Sequence, residues 1–406
     1  MTARLPLTII LVNVFLDLFS FGMIIPLLPF YAQEQGASAL IIGALLTIFS
    51  AAQFAFSPIW GHLSDVVGRR PIILGSLIGS GLSMLLLANA YSILLIFAAR
   101  TLAGVTSANV PTTEAYIADT TEPGQRAKGM AWLGAAQGLG LVFGPAAGGF
   151  LLTWGYATPF YLAAGLYFVD SLMALFLLPE SLHIGRGRPE PEERVSVGEM
   201  LSLLRDAQLA VMLVISFLIG LGFALIYGIL AIFFEARFGF TGKVSGYMFT
   251  FVGVVAVLTQ VFLVGPLVRW MGERRLMTVG LIMETVGLPA LGLPRTIPGL
   301  LAALGVLSVA VSVINPAITS LVSRATPARY QGGILGVMQS LASLSRIVGP
   351  VLGGFIFDRE GPVYPFLWAG VVLAVALLGG VWLIGACGAA CQDRPLPEQG
   401  QKASGR

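Results

Sequence analysis

Gly144-Pro145-Ala146-Ala147-Gly148-Gly149 returns 205 residues later as Gly349-Pro350-Val351-Leu352-Gly353-Gly354, so the chain repeats itself at about half its length. Pro111 answers Pro316 at the same spacing. A second stretch, GHLSDVVGRR from Gly61 to Arg70, is echoed more weakly by GPLVRWMGERR from Gly265 to Arg275. Six apolar runs fall in each copy, which leaves the two halves in the same orientation. In membrane chains that parallel repeat places a substrate site near the midplane, between the halves.

Composition says why the runs must be helices. Of 406 residues, 56% are hydrophobic and 11% charged, against about 25% charged in a soluble domain. In hydrocarbon every backbone N–H and C=O needs an internal partner, so only helices and closed barrels can span. Runs such as Ile72 to Ala88, Leu209 to Phe234 and Leu300 to Val322 approach the ~20 residues of a spanning helix, and alternating barrel strands are absent. The 50 glycines and 23 prolines fit membrane helices, where small residues permit close packing.

The expected fold is therefore an all-α polytopic membrane protein with twelve transmembrane helices in two six-helix bundles. Spans are expected near 7–31, 40–61, 71–89, 92–117, 129–153, 158–179, 207–234, 244–268, 276–293, 298–322, 332–357 and 363–386. The division is 1–179 for the first bundle, 180–206 for a linker, 207–386 for the second bundle and 387–406 for a tail. The linker holds Pro189 and Pro191. Its Ser196-Val197-Gly198-Glu199 reads as a capping box opening a short amphipathic helix along the membrane face.

Lys and Arg set the orientation. Seventeen fall on the side of the termini and the linker, four on the other side, and two, Arg100 and Arg346, inside spans. The excess marks the cytoplasmic side, so both termini are expected there, in a plasma (inner) membrane. The net charge of +3 reflects this asymmetry and gives no support to nucleic-acid binding. Arg4 and the apolar run after it imitate a secretory leader, but the run is too long, contains Asp17 and meets a second span at once. Cys387 and Cys391 make no disulfide framework. With His62 and His183 both in loops, no metal site, cofactor or enzymatic cluster is expected. Gly242-Lys243 is followed by Val244, which is not a phosphate-binding loop.

Charges inside spans are functional candidates. Asp17 stands about ten residues into the first span, about 15 Å deep, and its counterpart is Gly222. Arg100 and Glu114, fourteen residues apart, fall within about 40° on a continuous helix; their counterparts, Gly305 and Thr319, are uncharged. Arg100 is the cation expected near Asp17. Arg346 is a candidate for neutralising a carboxylate or meeting an anionic substrate, and Asp170 is expected to be structural. Phe21, Tyr116, Phe223 and Tyr227, with Asn13, Gln53, Asn109, Gln137, Asn315 and Gln339, are candidates for lining an amphipathic cavity. Gly140, Gly144 and Gly148 form a packing stripe with Gly149 beside it, while Pro145 and Pro350 offer bends. In the first loop of the stripe-bearing half, Gly61 and Gly68 allow a tight turn, and Asp65, Arg69 and Arg70 supply pairing charges.

The stretch GHLSDVVGRRPIIL resembles the loop motif of the major facilitator superfamily. Arg100-Thr101-Leu102-Ala103-Gly104, Tyr116-Ile117-Ala118-Asp119 and GLGLVFGPAAGG (Gly138 to Gly149) resemble its fourth- and fifth-span motifs. Within it the chain is similar to twelve-span drug–proton antiporters, above all tetracycline exporters, through the first span from Leu16-Asp17 to Pro29 and Leu281-Ile282-Met283-Glu284 in the ninth. Two departures, Ser83 and Ala256, leave tetracycline unassigned as a substrate. The expectation is a small-molecule transporter coupled to protons and taken as a monomer, with Asp17, Arg100 and Glu114 in coupling as intramembrane charges absent from the other half and Glu284 added by the resemblance. The resemblance also implies that Asp65, Arg69 and Asp119 tie cytoplasmic helix ends together in the outward-facing state. A facilitator or symporter for a polar metabolite is the alternative.

Overall fold

The computed structural model describes residues 4–121, 124–181, 203 and 205–390; the proposed amphipathic helix of the linker and the tail beyond residue 390 lie outside them. Among the described residues the chain is helical, with no strand. Eleven helical runs are long and apolar enough to cross a membrane, but one of them, Gly242–Ala290, has 49 residues. At 1.5 Å per residue that is more than twice a hydrocarbon core of about 30 Å. It breaks at Gly272 (φ 76°, ψ 160°), and the chain makes twelve passes.

Gly272 repeats what happens at Gly68 (φ 114°, ψ 159°), where Ala39–Val67 ends and Arg69–Ala88 begins. Such a positive φ costs glycine nothing and other residues much. The two chain reversals of the echoed loops therefore rest on the same backbone device.

Three spans expected to be single helices are broken. The first, expected over 7–31, is Arg4–Ile24 followed by Leu28–Glu34, and the seventh, expected over 207–234, is Ala207–Tyr227 followed by Leu230–Phe238. The fourth, expected over 92–117, is Ile93–Val105 followed by Asn109–Thr120. Pro111 has no N–H to offer the carbonyl four residues back, so the turn before it loses a bond. Side chains from the second and third spans take up the loosened groups: Trp60 Nε1 donates to the Val105 carbonyl (2.5 Å), Ser76 Oγ to that of Thr106 (2.6 Å), and Gln53 Nε2 to Ser107 Oγ (2.8 Å). The tenth span, Ile297–Ala325, keeps its helix through Pro316.

The repeated glycines do the same work in both halves. A Cβ on Gly140, Gly144 or Gly148 would stand 2.8, 2.5 or 2.7 Å from the carbonyl oxygens of Phe15, Phe19 and Met23, so the fifth span lies against the first. Gly349 and Gly353 press in the same way on Ala224 and Leu225 of the seventh. The last glycine of each motif faces the other half: Gly149 meets Lys243 of the eighth span, and Gly354 meets Ala39 of the second. Pro145 and Pro350 sit inside the unbroken helices Arg126–Leu151 and Gln331–Glu360.

These contacts seal one face. Gly43 lies on the Pro350 carbonyl, Thr47 Oγ1 donates to the Ile347 carbonyl (2.6 Å), and Gly246 lies on the Pro145 carbonyl. Along the same stripes toward the face of the arginine-rich loops, Phe54, Pro58, Gly61 and Asp65 on the second span and Gln339 and Arg346 on the eleventh are exposed. The halves thus diverge toward that basic face and leave a cleft between them.

A candidate translocation cleft

Asp17 is half-buried, and its carboxylate accepts from Asn109 Nδ2 (3.1 Å, Oδ2) and from the Tyr167 hydroxyl (2.9 Å, Oδ1). The break in the fourth span makes the first bond: it starts a new helix at Asn109, turned toward the first span. Asn13, one turn before Asp17, is 1% exposed and turns into the bundle toward Asp170 of the sixth span. It does not open onto the cleft.

Arg100 is 3% exposed and its guanidinium lies over the Phe49 ring, 4.3 Å from the centroid. It does not pair with Asp17: the ion pairs among the described residues are Arg69–Asp65, Arg69–Asp119 and Arg324–Glu273. Its charge acts instead on Tyr167 of its own half and Tyr227 of the other. Phe49 also meets Phe21 at 5.8 Å, and Tyr227 meets Phe223 at 5.3 Å. Aromatic rings from both halves therefore gather around one buried cation. Glu114 is exposed, beyond the break at Thr106–Ala108. The common face expected for Arg100 and Glu114 is lost, because two helices with different axes replace the one on which the angle was counted.

In the second half Asn315 borders a cavity of about 650 Å³ with Gln260, Thr319, Ser323 and Arg324. Gln339 and Arg346 are exposed on the eleventh span, Arg346 donating to Ser343 Oγ (2.9 Å), and Gln137 is half-buried on the fifth. Glu284 is elsewhere. It is 1% exposed within the helices of the second half, with no hydrogen-bond partner for either oxygen among the described residues.

At the basic face Arg69 holds Asp65 (2.5 Å) and Asp119 (3.0 Å), and also donates to Ser64 Oγ (2.6 Å). Glu180, read from sequence only as the start of the linker, accepts the backbone N–H groups of Arg69 (2.9 Å) and Arg70 (3.1 Å) and so caps the third span. Gly68 leaves the room for it, since a Cβ there would stand 2.5 Å from the Glu180 carboxylate. Arg70 donates to the Leu175 carbonyl. In the second half Glu273 pairs with Arg324 at 3.0 Å. These are the repeat positions of Arg69 and Asp119 with the charges exchanged.

Twelve passes in two glycine-packed halves, with a cleft between them that reaches charged and aromatic side chains at mid-depth, are the architecture of a membrane transporter. The chain belongs to the Major Facilitator Superfamily, which it matches over residues 10–263 and 212–405. Multidrug resistance protein 2 of Bacillus subtilis (strain 168) is 31% identical, over 92% of this chain and 94% of its own. The class B tetracycline resistance protein of Escherichia coli is 30% identical, over 93% and 91%. Among solved structures, the human organic anion transporter MFSD10 covers 94% of this chain and 100% of its own at a TM-score of 0.69 and 24% identity. A bacterial homologue of the lysosomal transporter Spinster, inward-facing and occupied, covers 96% and 98% at a TM-score of 0.79 and 15% identity. At those identities the two structures speak for the fold alone.

Proposed function

We propose that the protein exports lipophilic or cationic small molecules in exchange for protons, with the bundles 1–179 and 207–386 rocking about the cleft. The observation that carries this reading is Asp17, a cleft-side carboxylate held at mid-depth by Asn109 and Tyr167 beside an aromatic and largely apolar lining. A carboxylate is the simplest group to take up and release a proton as water access alternates. The relatives named for multidrug and tetracycline resistance support the direction and the substrate class. The termini and basic loops are read as cytoplasmic in a plasma membrane, which makes the present form inward-open, and the protein as a monomer. Asp17 is assigned to coupling, with Arg100 shaping its field across Tyr167. Glu114 and Glu284 stand as secondary candidates.

Reconstituted vesicles with an imposed pH gradient and ethidium as the probe test this. Asp17→Asn is expected to abolish gradient-driven accumulation while passive exchange persists. Undiminished uphill transport by the variant would remove Asp17 from coupling. The polar stripe of exposed Gln339 and Arg346 with half-buried Ser343 between them favours a second reading, transport of a polar or anionic metabolite. That reading requires Arg346→Gln to abolish substrate binding.

A further inference from the structure

Asp170 lies in the sixth span, Thr158–Leu177, and is 0% exposed. Neither of its carboxylate oxygens has a hydrogen-bond partner among the described residues. A buried carboxylate kept for structure normally completes hydrogen bonds to its surroundings; this one completes none.

Its surroundings narrow what it can be. The sixth span packs against the third and first spans and more lightly against the fifth. The third between Arg70 and Ala88, and the fifth between Lys128 and Leu151, carry no titratable side chain. The first span contributes Asn13 and Asp17. Asn13 is the one side-chain hydrogen-bond donor directed at Asp170, though its amide atoms complete no bond of ordinary geometry. The Asp17 charge also reaches Asp170. On the sixth span itself Tyr167, one turn away, donates to Asp17 Oδ1 at 2.9 Å and feels Asp17, Asp170 and Arg100. Arg100 makes no ion pair with either acid.

An unpaired ion in such a place is strongly disfavoured, and two neighbouring acids in apolar surroundings do not both ionise. From the structure we infer that Asp170 is a second proton-binding residue, the occluded member of a carboxyl pair whose cleft-side member is Asp17. The inference rests on the proton-coupled reading above and adds a site to it. Counting 1.5 Å per residue, Asp170 is about 10 Å from the basic-face end of its helix and Asp17 about 20 Å. A proton that leaves Asp17 and is taken by Asp170 therefore moves toward the basic face. In that step the proton leaves the Asp17 carboxyl for the Asp170 carboxylate and the two exchange the negative charge; uptake of a new proton at Asp17 and release from Asp170 toward the basic face complete the cycle.

Infrared spectroscopy of the full-length protein carrying isotope-labelled aspartate tests this, because the protonated aspartate carbonyl is then separated from glutamic acid. At neutral pH Asp170→Asn is expected to lose a protonated-aspartate band that Glu284→Gln keeps; an undiminished band in Asp170→Asn overturns the inference. In vesicles with ethidium, Asp170→Asn is expected to lose gradient-driven accumulation and its pH profile. Asparagine nearly matches a protonated aspartate in shape, so a purely structural Asp170 leaves both unmoved, and that result also overturns it. A wild type that accumulates ethidium regardless of the gradient overturns the proton-coupled reading itself and the coupling role of both acids.

Discussion

Asp358, in the last turn of the eleventh span, accepts the Leu40 backbone N–H at 2.9 Å with one oxygen and that of Ala39 at 3.0 Å with the other. The first N–H groups of a helix have no partner within it, and the second span starts at Ala39; a carboxylate there satisfies two of them and opposes the positive end of the helix dipole. The bond crosses from one half to the other on the sealed face. It exists only while that face is shut. Asp358→Asn is expected to weaken the seal by about 1 kcal/mol, shifting the balance toward the form open on that face roughly fivefold. Spin-label distances between the sealed-face ends of the second and eleventh spans report the shift, and an unchanged distribution counts against the latch.

Two glycine substitutions separate sealing from folding. A Cβ on Gly43 would overlap the Pro350 carbonyl of the other half, so Gly43→Ala is expected to move the distance distribution toward the open form with little change in thermal stability. A Cβ on Gly140 would stand 2.8 Å from the Phe15 carbonyl within its own half. Gly140→Ala is expected to lower stability by about 1–3 kcal/mol, as overpacking does, and to leave the distribution in place. Thermal unfolding and spin-label distances on the same samples check both.

The Arg69 cluster is expected to act on turnover. In this form Arg69, Asp65 and Asp119 bond within the first half, and Asp65 is exposed to the cleft mouth. Asp65→Asn is expected to slow transport more than it weakens substrate binding, because its work comes when the basic face closes. Loss of binding with an unchanged conformational distribution argues against that role. Glu180→Gln, by contrast, removes charge from the cap on the third span and is expected to cost about 1 kcal/mol of stability.

Topology has a direct check. Gln125 and Thr153 are exposed at opposite ends of the fifth span. With Cys387 and Cys391 removed, an impermeant maleimide added to intact cells is expected to label Thr153→Cys and not Gln125→Cys. The reverse pattern inverts the orientation.

Candidates for the site could be named from sequence because charges are rare in these spans. Asp17, Arg100, Glu284 and Arg346 stood out for the cost of placing them there. Their partners could not be named. The Arg100–Asp17 pairing expected from proximity along neighbouring spans gives way to Arg100 on Phe49 and Asp17 on Asn109 and Tyr167. Glu180 and Asp358 were passed over because each sits at a helix end, where an acidic residue reads as an ordinary loop charge. Asp170 was read as structural, and only its packing shows a buried carboxylate that completes no hydrogen bond.

By itself the sequence determined the helical class, the doubled architecture and the tight turns, since these follow from apolar run length, a 205-residue repeat and glycine at fixed positions. Backbone satisfaction in hydrocarbon is a local demand and leaves its mark residue by residue. Tertiary structure alone decided where helices break, which face is sealed and which acids are neighbours. Those depend on groups brought together from distant parts of the chain: Trp60 and Ser76 on the carbonyls before Asn109, Asp358 on the start of the second span, and Asp17 beside Asp170. No periodicity along one helix records which side chain of another helix will meet it.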